Sequence, residues 1–171
     1  ALGDLQAQAE ATAVCEREVL RLVDKYSKAT VVAAMQETQD YVERVVLKSL
    51  AGMPKGEWET VDYIDADPAL GEGMVPIRIK LTLDGSGIHY DLSGSAPAVS
   101  TFLNSSYGTT HSAIYAGTKT FFPDVPLNSG FYRAVTANIG EEGSVVNAGW
   151  PHAVTGFCSG PYEKVMNGIF E

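Results

Sequence analysis

The sequence predicts an α+β domain, and three features of its hydrophobic patterning predict it. Over residues 4–52 apolar residues recur every three or four positions, over residues 77–92 they alternate with polar ones, and helix-like and strand-like stretches then follow in turn. From Asp4 to about Tyr26, Cys15, Val19, Leu22, Val23 and Tyr26 share one side while Glu16, Arg17, Arg21 and Asp24 take the other, which predicts an amphipathic helix. Ser27 is placed to cap a second helix, whose stripe runs through Val31, Met35, Val42, Val46 and Leu50 and stops at Gly52 and Pro54. Two helices joined so tightly are expected to pack antiparallel as a helical hairpin over residues 1–53, followed by a mixed β/α part over 54–171.

Within that second part "EWETVDYIDAD", residues 57–67, reads as a strand with an acidic tail. Ile77, Ile79, Leu81 and Leu83 alternate with Arg78, Lys80 and Thr82; "DGSG" turns the chain; and Ile88, Tyr90 and Leu92 alternate with His89 and Asp91. This predicts a hairpin with one wet face. A helix is expected from Thr109 to Phe122, stopped by Pro123. "FYRAVTANI", residues 131–139, and "SVVNA", residues 144–148, read as strands flanking the turn "GEEG", so the expected order is an antiparallel β meander over the strands up to Leu92, a further helix, and these additional strands. A final helix begins near Tyr162.

At 171 residues, 45% of them hydrophobic, the chain has enough apolar material for one core. Twelve Lys and Arg against twenty-one Asp and Glu give a net charge of -9 with no basic cluster, so nucleic acid is not an expected partner. No apolar run approaches the roughly 18 residues of a membrane span, and the expected location is cytoplasmic. Cys15 and Cys158 form no CxxC pair and are expected as reduced core thiols. A start at "ALGDLQAQ" and an end at "EKVMNGIFE", where a helical pattern is opening, read as a piece of a longer polypeptide.

Familiar chemical motifs are absent. "GTKT", residues 117–120, lacks the glycine-rich turn of a phosphate-binding loop, "DGSG" sits between antiparallel strands rather than opening a helix, and "LSGSAP" is not GxSxG. His89, His111 and His152 include no pair at helical metal-ligand spacing; His89 is expected to face solvent, and His111 opens a helix where its ring could meet a ligand or serve a structural role. Asp62, Asp65 and Asp67 could hold a hard cation but lack the rest of an EF-hand loop, and a solvated acidic edge is the simpler reading.

"GDLQAQ", "MPKGEWETVDYIDAD", "IHYDLSGSAP" with "LNSSYGTTHSA", "FPDVPLNSGFYR" and "EEGSVVNAGWPHAV", in that order over essentially the whole chain, resemble the B-type subunit of the hydantoinase/oxoprolinase family. The resemblance implies a subunit of an ATP-dependent hydrolase acting on a cyclic amide or imide, with ATP used by a separate A-type, actin-like ATPase subunit that phosphorylates the substrate oxygen. The same family includes acetone and acetophenone carboxylases, which act on ketones, and the sequence does not choose between the two chemistries. It also implies a divalent metal held by a His and Asp cluster ahead of "GDLQAQ", so no metal ligand carries over to these residues and the piece alone is expected to be catalytically silent.

On this resemblance the charge-poor stretch "SGSAPAVSTFLNSSYGTTHSA", residues 93–113, is expected to line the catalytic cavity or an interface leading to it. Asp91, Ser93, Asn104 and His111 are the catalytic candidates, and Thr110 and Asn128 the substrate-binding ones. Two other readings stay open: these side chains satisfy one another in a packed loop, Asn128 closing an Asx turn before Gly130, or the segment is a non-catalytic scaffold for subunit assembly.

Overall fold

The computed structural model describes residues 2–65, 73–155 and 160–171. Asp67 and Cys158 lie outside them. The chain is mixed helix and sheet, as the α+β pattern predicts, and it divides into two compact units, Ala1–Tyr41 and Val42–Glu171.

The first unit holds α1 (Leu2–Tyr26) and the opening turns of α2 (Lys28–Leu50), separated by Ser27 alone, which sits in the left-handed region at φ 75. Ser27 does cap α2, its Oγ accepting the Thr30 amide at 3.4 Å. No residue of α1 is buried. Of the stripe expected to pack, Leu22 and Tyr26 are exposed and Val19 and Val23 only half-buried, and Cys15, expected in a core, is exposed as well.

The second unit is built on a four-stranded sheet in the order β1 (Gly56–Ile64), β2 (Val75–Leu83), β3 (Ile88–Asp91), β4 (Val135–Asn138). The predicted hairpin is β2–β3, antiparallel, with Leu83 opposite Ile88. Asp84 closes its turn by accepting both the amide (2.8 Å) and the hydroxyl (2.7 Å) of Ser86. β1 pairs antiparallel with β2, from Gly56 opposite Leu83 to Ile64 opposite Val75.

Two expectations fail beyond this point. The stretch 131–139 is not one strand: Asn128 accepts the Gly130 amide at 2.8 Å and caps a single turn, α4 (Ser129–Arg133), which buries Phe131 before β4 begins. β1, β2 and β3 form the antiparallel meander expected ahead of α3, while β4, one of the additional strands, lies parallel to β3, so the sheet as a whole is mixed. The chain between them crosses over through α3 (Tyr107–Thr120), as a parallel pair requires. Residues 144–148 form no extended strand; Val145 and Val146 are buried, and their backbone instead ties to Ala96 and Ser105.

The core lies on one face of the sheet. Val75, Ile77, Ile79 and Leu83 of β2 point into it at the period of two that a half-buried strand demands. Ala113 and Ile114 of α3, Phe131, and Val165 and Ile169 of α5 (Pro161–Phe170) meet them, as do Val42, Val46 and Leu50 from the last turns of α2. Each fully buried Val, Ile or Phe contributes roughly 1.5–3 kcal/mol. Gly168 brings α5 against the sheet: a Cβ there would stand 2.7 Å from Ile79 Cδ1. Among the described residues no helix is long and apolar enough to cross a membrane.

Candidate functional site

The opposite face of the sheet is polar, because its rows pair charged and amide side chains across strands. Glu59, Lys80, Asp91 and Asn138 are successive partners from β1 to β4, and Thr82, His89 and Thr136 form the next row. β3 and β4 are the parallel pair, so their carboxyl ends coincide at Asp91 and Asn138. In sheets with parallel strands, the ends where connecting segments leave are where open crevices form. Here two adjoining hollows share Asn138. One, of about 480 Å³, is lined by residues including Glu57, Lys80, His89, Asp91 and Thr136; the other, of about 630 Å³, by residues including Ser93, Ser95, Gly140, Glu142 and Ser144.

Asp91 is the best-defined group in this crevice. Its Oδ1 accepts the Ser93 amide at 2.9 Å and the Asn138 Nδ2 at 3.2 Å. Hydrogen bonds from Ser93 hold the carboxyl below its usual range, helped by the Lys80 ammonium and Asn138, so it is ionised near neutral pH. Asn138 is fixed in turn, its Oδ1 accepting the Gly140 amide at 3.1 Å, and Asn147 Nδ2 donates to the Gly140 carbonyl at 3.0 Å. Gly140 is at φ 76 with Ser93 Cα 3.2 Å from where a Cβ would be, which brings the two loops into contact. Lys80 bonds Glu57 at 2.9 Å, and that contact raises its pKa. A fixed carboxylate beside a carboxamide can accept N–H donors and orient them; a carboxyl whose hydrogen bonds favour its ionised form is a poor proton acceptor.

The remaining predicted residues are elsewhere. Asn104 is fully buried: its Oδ1 accepts the Val99 amide at 2.8 Å, and its Nδ2 reaches the carbonyls of Val99 (3.0 Å), Thr101 (2.9 Å) and Ala153 (3.0 Å). Thr110, also fully buried, donates to the Val146 carbonyl at 2.6 Å. These two side chains join the 99–110 stretch to 146–153, the arrangement in which small polar groups satisfy a packed loop. His111 lies half-buried on α3, and Asn128 caps α4. The structure therefore brings Asp91 and Ser93 together and separates them from the hydrogen-bond sets of Asn104, His111 and Asn128.

His89 lies on the polar face with its side chain 35% exposed, as expected, and is also hydrogen-bonded there: Nδ1 is 2.7 Å from Thr136 Oγ1, and Nε2 is within 3.4 Å of both Ser86 Oγ and Asp84 Oδ1. Asp62 bonds Asn167 Nδ2 at 3.3 Å and lies 3.7 Å from Lys164 Nζ. Among the described residues no three His, Cys, Asp or Glu side chains converge to hold a metal ion. Sequence reading missed Asn138, Lys80 and Glu57. Thr136 and Asn138 do alternate with Val135 and Ala137, but nothing local shows that this alternation lies beside β3. A further hollow of about 480 Å³, apolar and lined by Trp58, Leu81, Phe121 and Phe170 among others, contains none of the predicted residues.

The profile of the family described as hydantoinase B/oxoprolinase matches residues 1–171. The chain belongs to that family. It is 30% identical over 168 residues to the beta chain of caprolactamase from Pseudomonas jessenii, covering 98% of this chain and 29% of that one. It is 28% identical over 163 residues to the B-type chain of a putative D-/L-hydantoinase from Pseudomonas sp. (strain NS671), covering 88% and 27%. The crystal structure of ATP-dependent caprolactamase from Pseudomonas jessenii superposes with a TM-score of 0.85 at 30% identity, over 98% of this chain and 29% of that one. This hydantoinase B/oxoprolinase chain thus spans under a third of the length of the relatives it matches.

Proposed function

We propose that this chain is part of the B-type subunit of an ATP-dependent hydrolase that opens a cyclic amide or imide. It works with an A-type, ATP-using subunit that activates the substrate oxygen by phosphorylation. The observation that carries this reading is the match to caprolactamase along 98% of the chain, in sequence and in fold. The relatives' names, a lactam and a hydantoin enzyme, favour amide hydrolysis over ketone carboxylation.

Opening an activated amide leaves negative charge on oxygen and demands a proton at the departing nitrogen. The ionised Asp91 would repel an oxyanion, so its place is on the nitrogen side, accepting the ring N–H while Asn138 and Ser93 fix its orientation. Asn104, Thr110 and Asn128 act at one remove, shaping the loops that carry the crevice.

The full-length subunit with its companion, supplied with ATP and either a cyclic imide or a ketone plus bicarbonate, tests this by phosphate release. Release with the imide is expected, together with at least a hundredfold loss in Asp91→Asn, about 2.7 kcal/mol of barrier, with assembly intact. Release only with the ketone would overturn the amide reading. Turnover within a few-fold of wild type in Asp91→Asn, Asn104→Ala, His111→Ala and Asn128→Ala would reduce the segment to a scaffold.

A further inference from the structure

α3 carries an aromatic ridge outside the Asp91–Asn138 crevice. Tyr107, His111 and Tyr115 are four residues apart and so share one face of the helix. The Tyr107 and His111 rings lie 4.1 Å apart and 30° from parallel; His111 and Tyr115 are 6.0 Å apart, and Tyr115 stacks in turn on Tyr132 of α4 at 4.2 Å. The imidazole is thus held between two phenol rings along its own helix.

Its protonation pattern follows from one distance. His111 Nδ1 is 3.0 Å from the Tyr107 carbonyl oxygen. A carbonyl can only accept, so Nδ1 carries the hydrogen and, in the neutral ring, Nε2 keeps its lone pair. Because Nδ1 faces the helix backbone, Nε2 points away from it, and among the described residues none bonds it. His89 offers the contrast: both of its ring nitrogens are engaged. Asp91, ionised and hydrogen-bonded, is poorly suited to take up a proton.

We infer that Tyr107 and Tyr115 are positioning residues for His111, holding its ring as a proton acceptor whose open Nε2 receives an N–H or O–H donor, an amide or a water. In the step assigned to it, Nε2 forms a bond to the proton, the donor's N–H or O–H bond breaks, and its electron pair stays on the donor atom. The imidazolium keeps Nδ1–H on the Tyr107 carbonyl and places its positive charge against the Tyr107 ring, whose centroid is 4.1 Å away. The titratable groups in ring contact along the ridge are Tyr107, Tyr115 and Tyr132; burial, then the neighbouring phenols, keep Tyr115 above its usual range and uncharged.

The turnover arm of the test rests on the amide-hydrolase reading; the spectroscopic arm does not. In the ¹⁵N-histidine-labelled full-length subunit, with His111 assigned by its loss in His111→Gln, long-range ¹H–¹⁵N spectra of the neutral ring should show a protonated Nδ1 and a lone-pair Nε2. Tyr107→Phe should preserve that pattern, and Tyr107→Ala should average it as the ring gains freedom. With the companion subunit, His111→Gln should lose at least a hundredfold in turnover. Tyr107→Ala should lose about tenfold in kcat with KM within twofold, and Tyr107→Phe should stay within twofold. A protonated Nε2 in the wild type, or unchanged turnover in His111→Gln, overturns the inference. If the wild-type complex hydrolyses no cyclic amide, the proposed function falls, and the tautomer pattern alone decides whether the ridge positions His111.

Discussion

Asn104→Ala is the sharpest perturbation of the stretch first suspected of catalysis. The asparagine is fully buried, and its Oδ1 and two amide hydrogens serve the Val99 amide and three carbonyls, so three hydrogen bonds' worth of capacity is removed at once. At about 1 kcal/mol net per bond, with the Val99 N–H left unsatisfied besides, the 99–104 loop should lose roughly 3 kcal/mol of local stability. Hydrogen exchange followed by mass spectrometry on the full-length subunit reads this directly: exchange at the Val99 amide should accelerate about a hundredfold, the factor that ~2.8 kcal/mol corresponds to. Asn104→Asp should be no milder, since it sets a carboxylate oxygen against carbonyls that now receive Nδ2–H. Unchanged exchange together with collapsed turnover would refute this reasoning and return Asn104 to the substrate.

Gly168→Ala should destabilise by about 1–3 kcal/mol, because its Cβ would meet Ile79 Cδ1 at 2.7 Å and Thr60 Cγ2 at 3.0 Å and push α5 off the sheet; urea unfolding measures it, and a neutral result would mean both neighbours move aside. Asp84 is held down to about 2 by the Ser86 hydroxyl and amide. Its folded pKa is below the unfolded value, so its stabilisation is complete above about pH 4 and disappears as pH falls through 2. NMR titration should find that low midpoint, and Ser86→Ala should move it back toward 3.8; a wild-type midpoint already near 3.8 would contradict the turn geometry.

What was legible in the residues alone was local. The period of two in Ile77, Ile79, Leu81 and Leu83, the turn residues of "DGSG", and the stripe through Val42, Val46 and Leu50 each encode an element within a few neighbours, and each formed where the pattern put it. The helical stripe of α1 formed its helix too, yet periodicity says only which side is apolar, not that anything covers it, and no residue of α1 is buried. "FYRAVTANI" misled because aromatic and β-branched residues suit a strand, while the Asn128 cap and the burial of Phe131 made its first half a helical turn.

Asp91 and Ser93 were legible as polar residues at a strand end, but the partnership with Asn138 was not. It depends on a parallel pairing between segments 47 positions apart, closed only after α3 has crossed over. For the same reason the sequence could flag Asn104 and His111 without separating their roles. Whether a buried amide is saturated by backbone, and which imidazole nitrogen is left open, is decided by atoms that only the folded chain brings within 3 Å.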